Sequence, residues 1–578
     1  MKRCPTCNRV EADNNLVFCR VDGTALITHS TELDGEAGTA MLNNGVTPNA
    51  ATRTLPENTI TNGHQATIPT TALSSTSSLP KSRKRLIIIG PVLLSVLIVA
   101  SVCAVFVRSY IFHKDYQPIR SIAVLPFVNK TADANSEYLS DGLTESLIFR
   151  LSRLPNLKVS PTSSVIRYKG KDTDLAKVAS ELSVDAVLTG SLAQIGDNLT
   201  ISVELVDSRN NKLLWGEQYD RKMSDLLATQ REIAGEIAQN LKLKLSGETE
   251  KVLSKHYTEN DQAYQLYLRG RFHYAKRSKA DLLKGIDYYQ QAIKLDPNFA
   301  MAYVGIAECY NSMAKNPEVA PKEAVPQAKV AATRALELDP TLAEAHSALA
   351  DSMAIYDWNW TEAEREFKRS IELNPSVAYT YVAYASSLLL PLGRTSEALV
   401  ELRRGVEMEP LALINNSIFT TGLVYARQNS NALDQAKKTF DLDPSFGIGR
   451  EWLGSAYIVN GKFDEAIALG EQGLQISPTS PNFLYITGLA YAKAGRRREA
   501  EQFIDRIREA AKTRYVRPVW TASIFAALGE KDKAFAELEN GFAERDCFMP
   551  RITEDPFMDP LRDDPRFKEL LRRIGLQK

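Results

Sequence analysis

The apolar and polar positions of this chain fall into distinct regimes. From Leu86 to Val107 the run LIIIGPVLLSVLIVASVCAVFV contains no charged residue. At about 1.5 Å per residue these 22 residues reach ~33 Å, enough to cross a hydrocarbon core of ~30 Å, so the pattern predicts one transmembrane helix within 86–112. A cleaved secretory signal is disfavoured, because the run is too long and lies too far into the chain. Lys81, Arg83, Lys84 and Arg85 abut its front edge, whereas Arg108 and Lys114 follow sparsely. The positive-inside bias therefore predicts a cytoplasmic N-terminus and an extracytoplasmic region after about residue 112.

Residues 119–245 mix two periods. Ile122 to Phe127 is a short buried-strand run, and Leu143 to Leu154 places apolar residues at helical spacing. A strand near Leu157 to Val159 and a helix over Leu175 to Leu182 follow. Ala186 to Gly190 and Leu199 to Val206 read as strands joined by the turn Gly196-Asp197-Asn198. Lys212 to Gly216 completes the sheet, and Met223 to Leu245 is a closing helix. This is the pattern of a small α/β domain, with Asp141 and Gly142 expected to cap the helix at Leu143.

Beyond residue 261 a repeat takes over. Small residues recur at Gly285, Ala328, Ala363, Ala398, Ala432, Ala466, Ala500 and Ala534, separated by 43, 35, 35, 34, 34, 34 and 34. Pro297, Pro340, Pro375, Pro410, Pro444 and Pro478 each stand twelve residues after one of them. A helix pair every 34 residues is the tetratricopeptide repeat (TPR) period, and Leu453, Gly454, Tyr457, Ala466 and Pro478 match the family's positions. The spacing predicts about eight units within 261–553, a loop insertion around Asn316 to Pro326, and a capping helix over 554–578.

The N-terminal 27 residues have a different character. Cys4-Pro-Thr-Cys7 is a metal-knuckle spacing, and Cys19-Arg-Val-Asp22 repeats it with a carboxylate in the last place. The segment resembles a zinc ribbon. Cys4, Cys7, Cys19 and Asp22 would hold a structural Zn2+, with His29, water or a second chain as alternatives to Asp22. Residues 28–85 are rich in Thr, Ser, Asn and Pro and end in a basic cluster, so they are expected to be a disordered tether. Lys plus Arg and Asp plus Glu both total 70, so no global charge draws the chain to nucleic acid. The fold class is thus multidomain: a helical TPR solenoid preceded by a small α/β domain, one transmembrane helix and a zinc-ribbon-like segment.

IAVLPFVN, YLSDGLTESLI, RYKGKDTD, LTGSLAQIGDNLTISVELVD and LLWGEQYDR together resemble the TolB amino-terminal-like, or FlgO-like, domain of bacterial signalling proteins. YDWNWTEAEREFKRSIELNP is similar to TPR proteins that carry such a domain. The resemblance implies a non-catalytic envelope domain used for protein contacts. With the apolar run and its charge bias, the expected location is the bacterial cytoplasmic membrane with a single span.

No HExxH, GxSxG or GxxxxGK pattern appears, and the six histidines are scattered without ligand spacing. An enzyme, a nucleic-acid partner and a small-molecule substrate are all disfavoured. The expected function is a non-enzymatic membrane scaffold for protein contacts. The alternative is a transmembrane signalling receptor related to the fusions of such domains with cyclases, kinases and winged-helix regulators.

In TPR proteins the first helix of each unit lines a concave groove. Counting back from each proline assigns to it Ala348 and Ser352, Ala383 and Ser387, Ser417 and Thr421, Glu451 and Ser455, and Tyr485 and Leu489. Only Glu451 among the assigned positions is charged, so the expected partner is an apolar protein segment held by burial. The competing reading is that the chain fills its own groove.

Overall fold

The computed structural model describes residues 2–3, 10–11 and 27–28, together with 118–576 except 132–135, 155, 172, 242–254, 256 and 317–318. It comprises two compact units, 1–105 and 106–578. In the first, β1 (Lys2–Arg3) pairs antiparallel with both β2 (Val10–Glu11) and β3 (Ile27–Thr28). Cys4, Cys7, Cys19 and Asp22 and the apolar run 86–112 lie outside the described residues. Among those described, no helix is long and apolar enough to cross a membrane.

The second unit begins with the α/β domain. Its sheet comprises β4 (Ser121–Val124), β5 (Val128–Asn129), β6 (Lys158–Val159), β7 (Ala186–Ile195), β8 (Asn198–Asp207) and β9 (Lys212–Lys222). The order is β6-β4-β7-β8-β9, with β5 also on β7. The strands up to β7 pair in parallel, and β7-β8-β9 form an antiparallel meander. Gly196 at φ +62° makes the tight β7–β8 turn that the sequence predicts there.

Three helices pack on this sheet: α1 (Glu137–Leu151), α2 (Leu175–Leu182) and α3 (Leu226–Asn240). The first corrects the capping expectation. It starts six residues before Leu143, so Asp141 and Gly142 lie inside it. The Asp141 carboxylate pairs with Lys169 at 2.7 Å. A Cβ on Gly142 would meet Leu268 at 2.9 Å, so this glycine lets α1 approach the first repeat.

Eight helix pairs follow. Their first helices are α4 (Asp261–Lys276), α6 (Ala300–Lys315), α8 (Ala343–Ser352), α10 (Ala378–Tyr384), α12 (Leu413–Tyr425), α14 (Gly447–Val459), α16 (Pro481–Lys493) and α18 (Pro518–Ala527). The second helices are α5 (Lys279–Leu295), α7 (Pro321–Leu338), α9 (Trp360–Leu373), α11 (Thr395–Met408), α13 (Asn429–Leu442), α15 (Phe463–Ile476), α17 (Arg497–Ala511) and α19 (Lys531–Ala543). Each recurring alanine of the second helices, from Ala328 to Ala534, is 0% exposed, because only a small side chain fits where neighbouring helices cross. Of the residues expected as a loop around Asn316 to Pro326, only the last six join α7, which opens on Pro321 and contains Pro326, while Asn316, Val319 and Ala320 stay outside any helix.

The two 35-residue spacings have a local cause. In units 3 and 4 the first helix continues into a π-helical turn, Met353–Asp357 and Ala385–Leu389. A wider turn absorbs one extra residue without breaking the helix. The units with π turns are those whose spacing is one residue too long.

The α/β domain and units 1–3 share one buried apolar cluster running from Ile119 to Leu349. Polar contacts reinforce the junction. The Tyr264 hydroxyl donates to Gln230 at 2.6 Å, and Arg153 pairs with Glu344 at 3.2 Å. The Ser163 hydroxyl donates to Glu409, beyond unit 4, at 2.9 Å. Within the second unit the α/β domain and the first repeats are therefore joined through a common core, not as beads on a linker.

Candidate partner-binding groove

The first helices line the concave face, and their polar residues are knitted together across it. Ser352 Oγ donates to Asn311 Oδ1 at 2.8 Å, and Asn311 Nδ2 donates to the Ala348 carbonyl at 2.9 Å. Ser387 Oγ donates to Asp351 at 2.7 Å, while Lys315 binds both Asp351 and the Tyr379 hydroxyl. Further along, Asn482 Nδ2 donates to Glu451 of the preceding unit, while Thr421 Oγ1 donates at 3.2 Å to the Ser417 carbonyl one turn back in its own helix. Tyr485 stacks on Trp520 with ring centroids 4.9 Å apart.

The expected residues are in the interior of the superhelix, but they are not an open surface. Ala348, Ser352, Ala383, Ser387, Ser417, Thr421, Glu451, Ser455, Tyr485 and Leu489 are all buried, none more than 7% exposed. The chain's own C-terminal segment lies against units 5 to 8, where Phe548, Asp555 and Phe557 face Tyr425, Glu451, Ser455, Tyr485 and Trp520. It runs through two 3-10 turns, Met549–Thr553 and Pro556–Leu561, before α20 (Pro565–Ile574). Met549, Ile552, Met558 and Leu561 are 0% exposed, and Phe557 is 3% exposed. The segment thus occupies space beside Glu451, Ser455 and Tyr485, and the helix within the stretch expected as a cap is α20, the last part of this longer plug.

The plug also closes the solenoid on itself. Arg517, on the approach to α18, is 0% exposed; it pairs with Asp546 at 3.1 Å and donates to the Lys315 carbonyl of unit 2. Its guanidinium lies 4.0 Å from the centre of the Phe548 ring. Arg545 donates to the Tyr356 carbonyl in the unit 3 π turn at 3.4 Å, and Trp358 meets Phe542 at 5.1 Å. Trp360 Nε1 donates to the Ile574 carbonyl at 3.2 Å, and Arg427 pairs with Asp559 at 2.7 Å. Unit 8 and the plug thus bridge back to units 2, 3 and 5.

What space is left is small. A cavity of about 10 Å³ lies between Tyr425, Glu451, Trp452, Tyr485, Trp520 and Asp555, with Phe548 and Phe557 on its wall. That is the space of about one water molecule. Burial raises the Glu451 carboxyl to about 7 and the Asp555 carboxyl to about 6. A larger cleft, about 1150 Å³, opens between the α/β domain and unit 1, where Tyr138, Asp197, Asp261 and Arg269 line it.

The proline count needs one correction. Counting back across a 35-residue unit slides the register by one position before the π turn. Counted forward, the residues eleven after each proline are Glu308, Asp351, Thr421, Ser455 and Leu489 in units 2, 3, 5, 6 and 7. Asp351 is therefore a groove residue that the backward count passes over. The groove carries more charge than Glu451 alone, and Lys315 neutralises Asp351 from the neighbouring helix. The two described histidines are satisfied packing groups: His346 meets Glu366 and the Pro340 carbonyl, and His273 meets Asp281. Among the described residues no group of three or more His, Cys, Asp or Glu is arranged to hold a metal.

Comparison with known proteins divides the chain in the same way. Residues 118–236 match the model of the second domain of HilA/YgeH-like transcriptional regulators. Residues 421–481 and 458–517 match tetratricopeptide-repeat models. A protein described as putative adenylate cyclase 3 of Rhizobium meliloti is 32% identical over 187 residues, which are 32% of each chain. Transcriptional regulator HilA of Salmonella typhimurium is 26% identical over 229 residues, 38% of each chain. The chain thus spans about a third of the length of the curated relatives it matches. Among solved structures, TolB from Acinetobacter baumannii aligns with a TM-score of 0.17 at 21% identity, covering 22% of this chain and 29% of that one.

Proposed function

We propose that this protein is a non-enzymatic, membrane-anchored scaffold that gathers protein partners at the bacterial envelope. The observation that carries the reading is the solenoid itself: eight TPR units, the first three sharing one core with an α/β domain, an architecture whose surface is built for protein contacts. The apolar run 86–112 would anchor it in the cytoplasmic membrane. The segment 1–27 would face the cytoplasm, with Cys4, Cys7, Cys19 and Asp22 holding a structural Zn2+ there.

The buried groove changes how a partner enters. Ala348, Ser352, Ala383, Ser387, Ser417, Thr421, Glu451, Ser455, Tyr485 and Leu489 become a partner face only when a segment of similar apolar character takes the place of residues 546–561. Such an exchange replaces buried area by buried area, so its net free energy stays small. Tethering the plug tests this. Arg427→Cys and Asp559→Cys, joined by a short bis-maleimide, hold the segment in place where the two side chains already meet. Partner capture from the native membrane is expected to fall at least tenfold in the tethered protein. Undiminished capture would assign the contacts to the outer faces of the repeats or to the α/β domain.

A second reading is a transmembrane signalling receptor. It is favoured by the match of residues 118–236 to a domain of transcriptional regulators and by the relative described as an adenylate cyclase. Alkaline phosphatase fused after Tyr116 is expected to be active in a bacterial host under either reading. Activity confined to fusions before Lys81 would reverse the topology.

A further inference from the structure

The small cavity in the groove is walled on one side by unit 6 and on the other by the plug, and each wall supplies a carboxyl group. Glu451 comes from α14 and is 5% exposed, and Asp555 comes from the plug and is 7% exposed. Aromatic rings fill most of the remaining wall. Burial of this kind leaves a carboxylate badly solvated unless a cation is committed to it.

Among the described residues neither carboxyl is part of an ion pair, and burial outweighs the pull of the cations that face them. Facing Glu451, Arg517 is held by Asp546 and Arg551 lies over the Phe548 ring at 4.5 Å. The hydrogen bond that Glu451 accepts comes from the neutral amide of Asn482. Facing Asp555, Arg427 and Arg562 both pair with Asp559 at 2.7 Å, and Arg562 also donates to the Asp555 carbonyl, not to its carboxyl. The Asp555 carboxyl accepts the Phe557 amide at 2.8 Å. Lys493, at the end of α16, feels Asp555 and Asp559 but binds neither, and the hydroxyls of Tyr425 and Tyr485 stay neutral.

We propose that Glu451 and Asp555 form a pH-sensitive latch, which holds the C-terminal segment in the groove while both carboxyls are protonated and loosens as they ionise. The inference holds whatever the groove admits. In the opened, hydrated form the two groups return towards their ordinary values of 4.5 and 3.8, whereas in the closed form burial holds them near 7 and 6. The closed form therefore binds protons more tightly. Its advantage is fully present below about pH 4, is lost as pH rises towards 7, and is constant above that. A tenfold change per pH unit across each interval makes the opening constant rise on the order of a hundredfold per carboxyl.

Hydrogen exchange on the full chain between pH 5 and pH 8, corrected for intrinsic rates, reads this directly. The amides of 546–561 are expected to open at least tenfold more at pH 8 than at pH 5, while the amides of β8 do not change. In the Glu451→Gln, Asp555→Asn double variant the plug is expected to open equally at both pH values. Asn can still cap Phe557 and Gln can still meet Asn482, so both substitutions suit the fold. Asp555→Asn alone is expected to remove part of the pH dependence, which keeps the test intact if the double variant fails to fold. The latch is overturned by equal opening in the wild type at pH 5 and pH 8. It is overturned as well by parallel changes in the plug and β8, or by a double variant that keeps the full pH dependence.

Discussion

Replacing Asp546 by Asn isolates the group on which closure of the solenoid depends most. The Arg517 and Asp546 side chains are 1% and 0% exposed, and their 3.1 Å pair joins the start of unit 8 to the beginning of the plug. Asn keeps the volume and can still accept from the Phe548 amide, which now meets Asp546 at 3.0 Å. It cannot neutralise the guanidinium, which stays charged at any accessible pH. An uncompensated buried charge costs about 3–5 kcal/mol. Against a typical domain stability of about 5–15 kcal/mol, that is a large share. Urea denaturation followed by tryptophan fluorescence, which reads Trp452 and Trp520 beside the plug, should show the midpoint falling with little change in slope. Arg517→Met combined with Asp546→Asn removes both charges, so the double variant should be more stable than Asp546→Asn alone by at least ~1 kcal/mol. A loss below ~1 kcal/mol in Asp546→Asn, or no recovery in the double variant, would show that the pair is not what holds the ends together.

Three further outcomes can be checked. A Cβ on Gly270 would lie 2.4 Å from the Tyr289 ring, which 0% exposure leaves no room to move, so Gly270→Ala should cost about 1–3 kcal/mol in chemical denaturation despite the better helix propensity of alanine. Burial pushes the Cys309 and Cys547 thiols up to about 12, so neither should react with iodoacetamide at pH 8 in the folded chain, and both should react in urea; native labelling of Cys547 would mean that the plug opens readily. Elemental analysis of the full chain should give about one zinc per molecule, lost in Cys4→Ser, and less than a tenth of an equivalent in the wild type would remove the proposed metal site.

The features legible in the sequence are those set by local periodicity. The spacing of Ala328 to Ala534 and the prolines twelve residues on reflect helix length and crossing geometry, both of which repeat in every unit. Gly196 marks its turn because the tight connection requires a positive φ. The plug left no such trace. DPFMDPLRDDPRF reads as a polar, proline-broken tail. What buries Phe557 and Met558 is a surface supplied by units more than thirty residues earlier in the chain. Arg517 and Asp546 were invisible for the same reason, since a charged residue is ordinarily read as solvated until a tertiary contact shows otherwise. The Asp141 cap failed differently. Its residue type suits a helix start, but Lys169, brought in from another loop, satisfies the carboxylate inside the helix and lets the helix begin at Glu137.

The π turns of units 3 and 4 bear on how proteins of this kind are recognised at all. The two repeat models together match 421–517, a stretch whose spacings are all 34. The units spaced by 35 and 43 lie outside that stretch although they too are helix pairs, as does unit 8, whose spacing is 34. A template of fixed length penalises a single inserted residue as a gap, whereas the helix accommodates it by widening one turn. An array can therefore gain a residue inside a helix and keep its crossing geometry, because the π turn takes up the addition before the next alanine is reached.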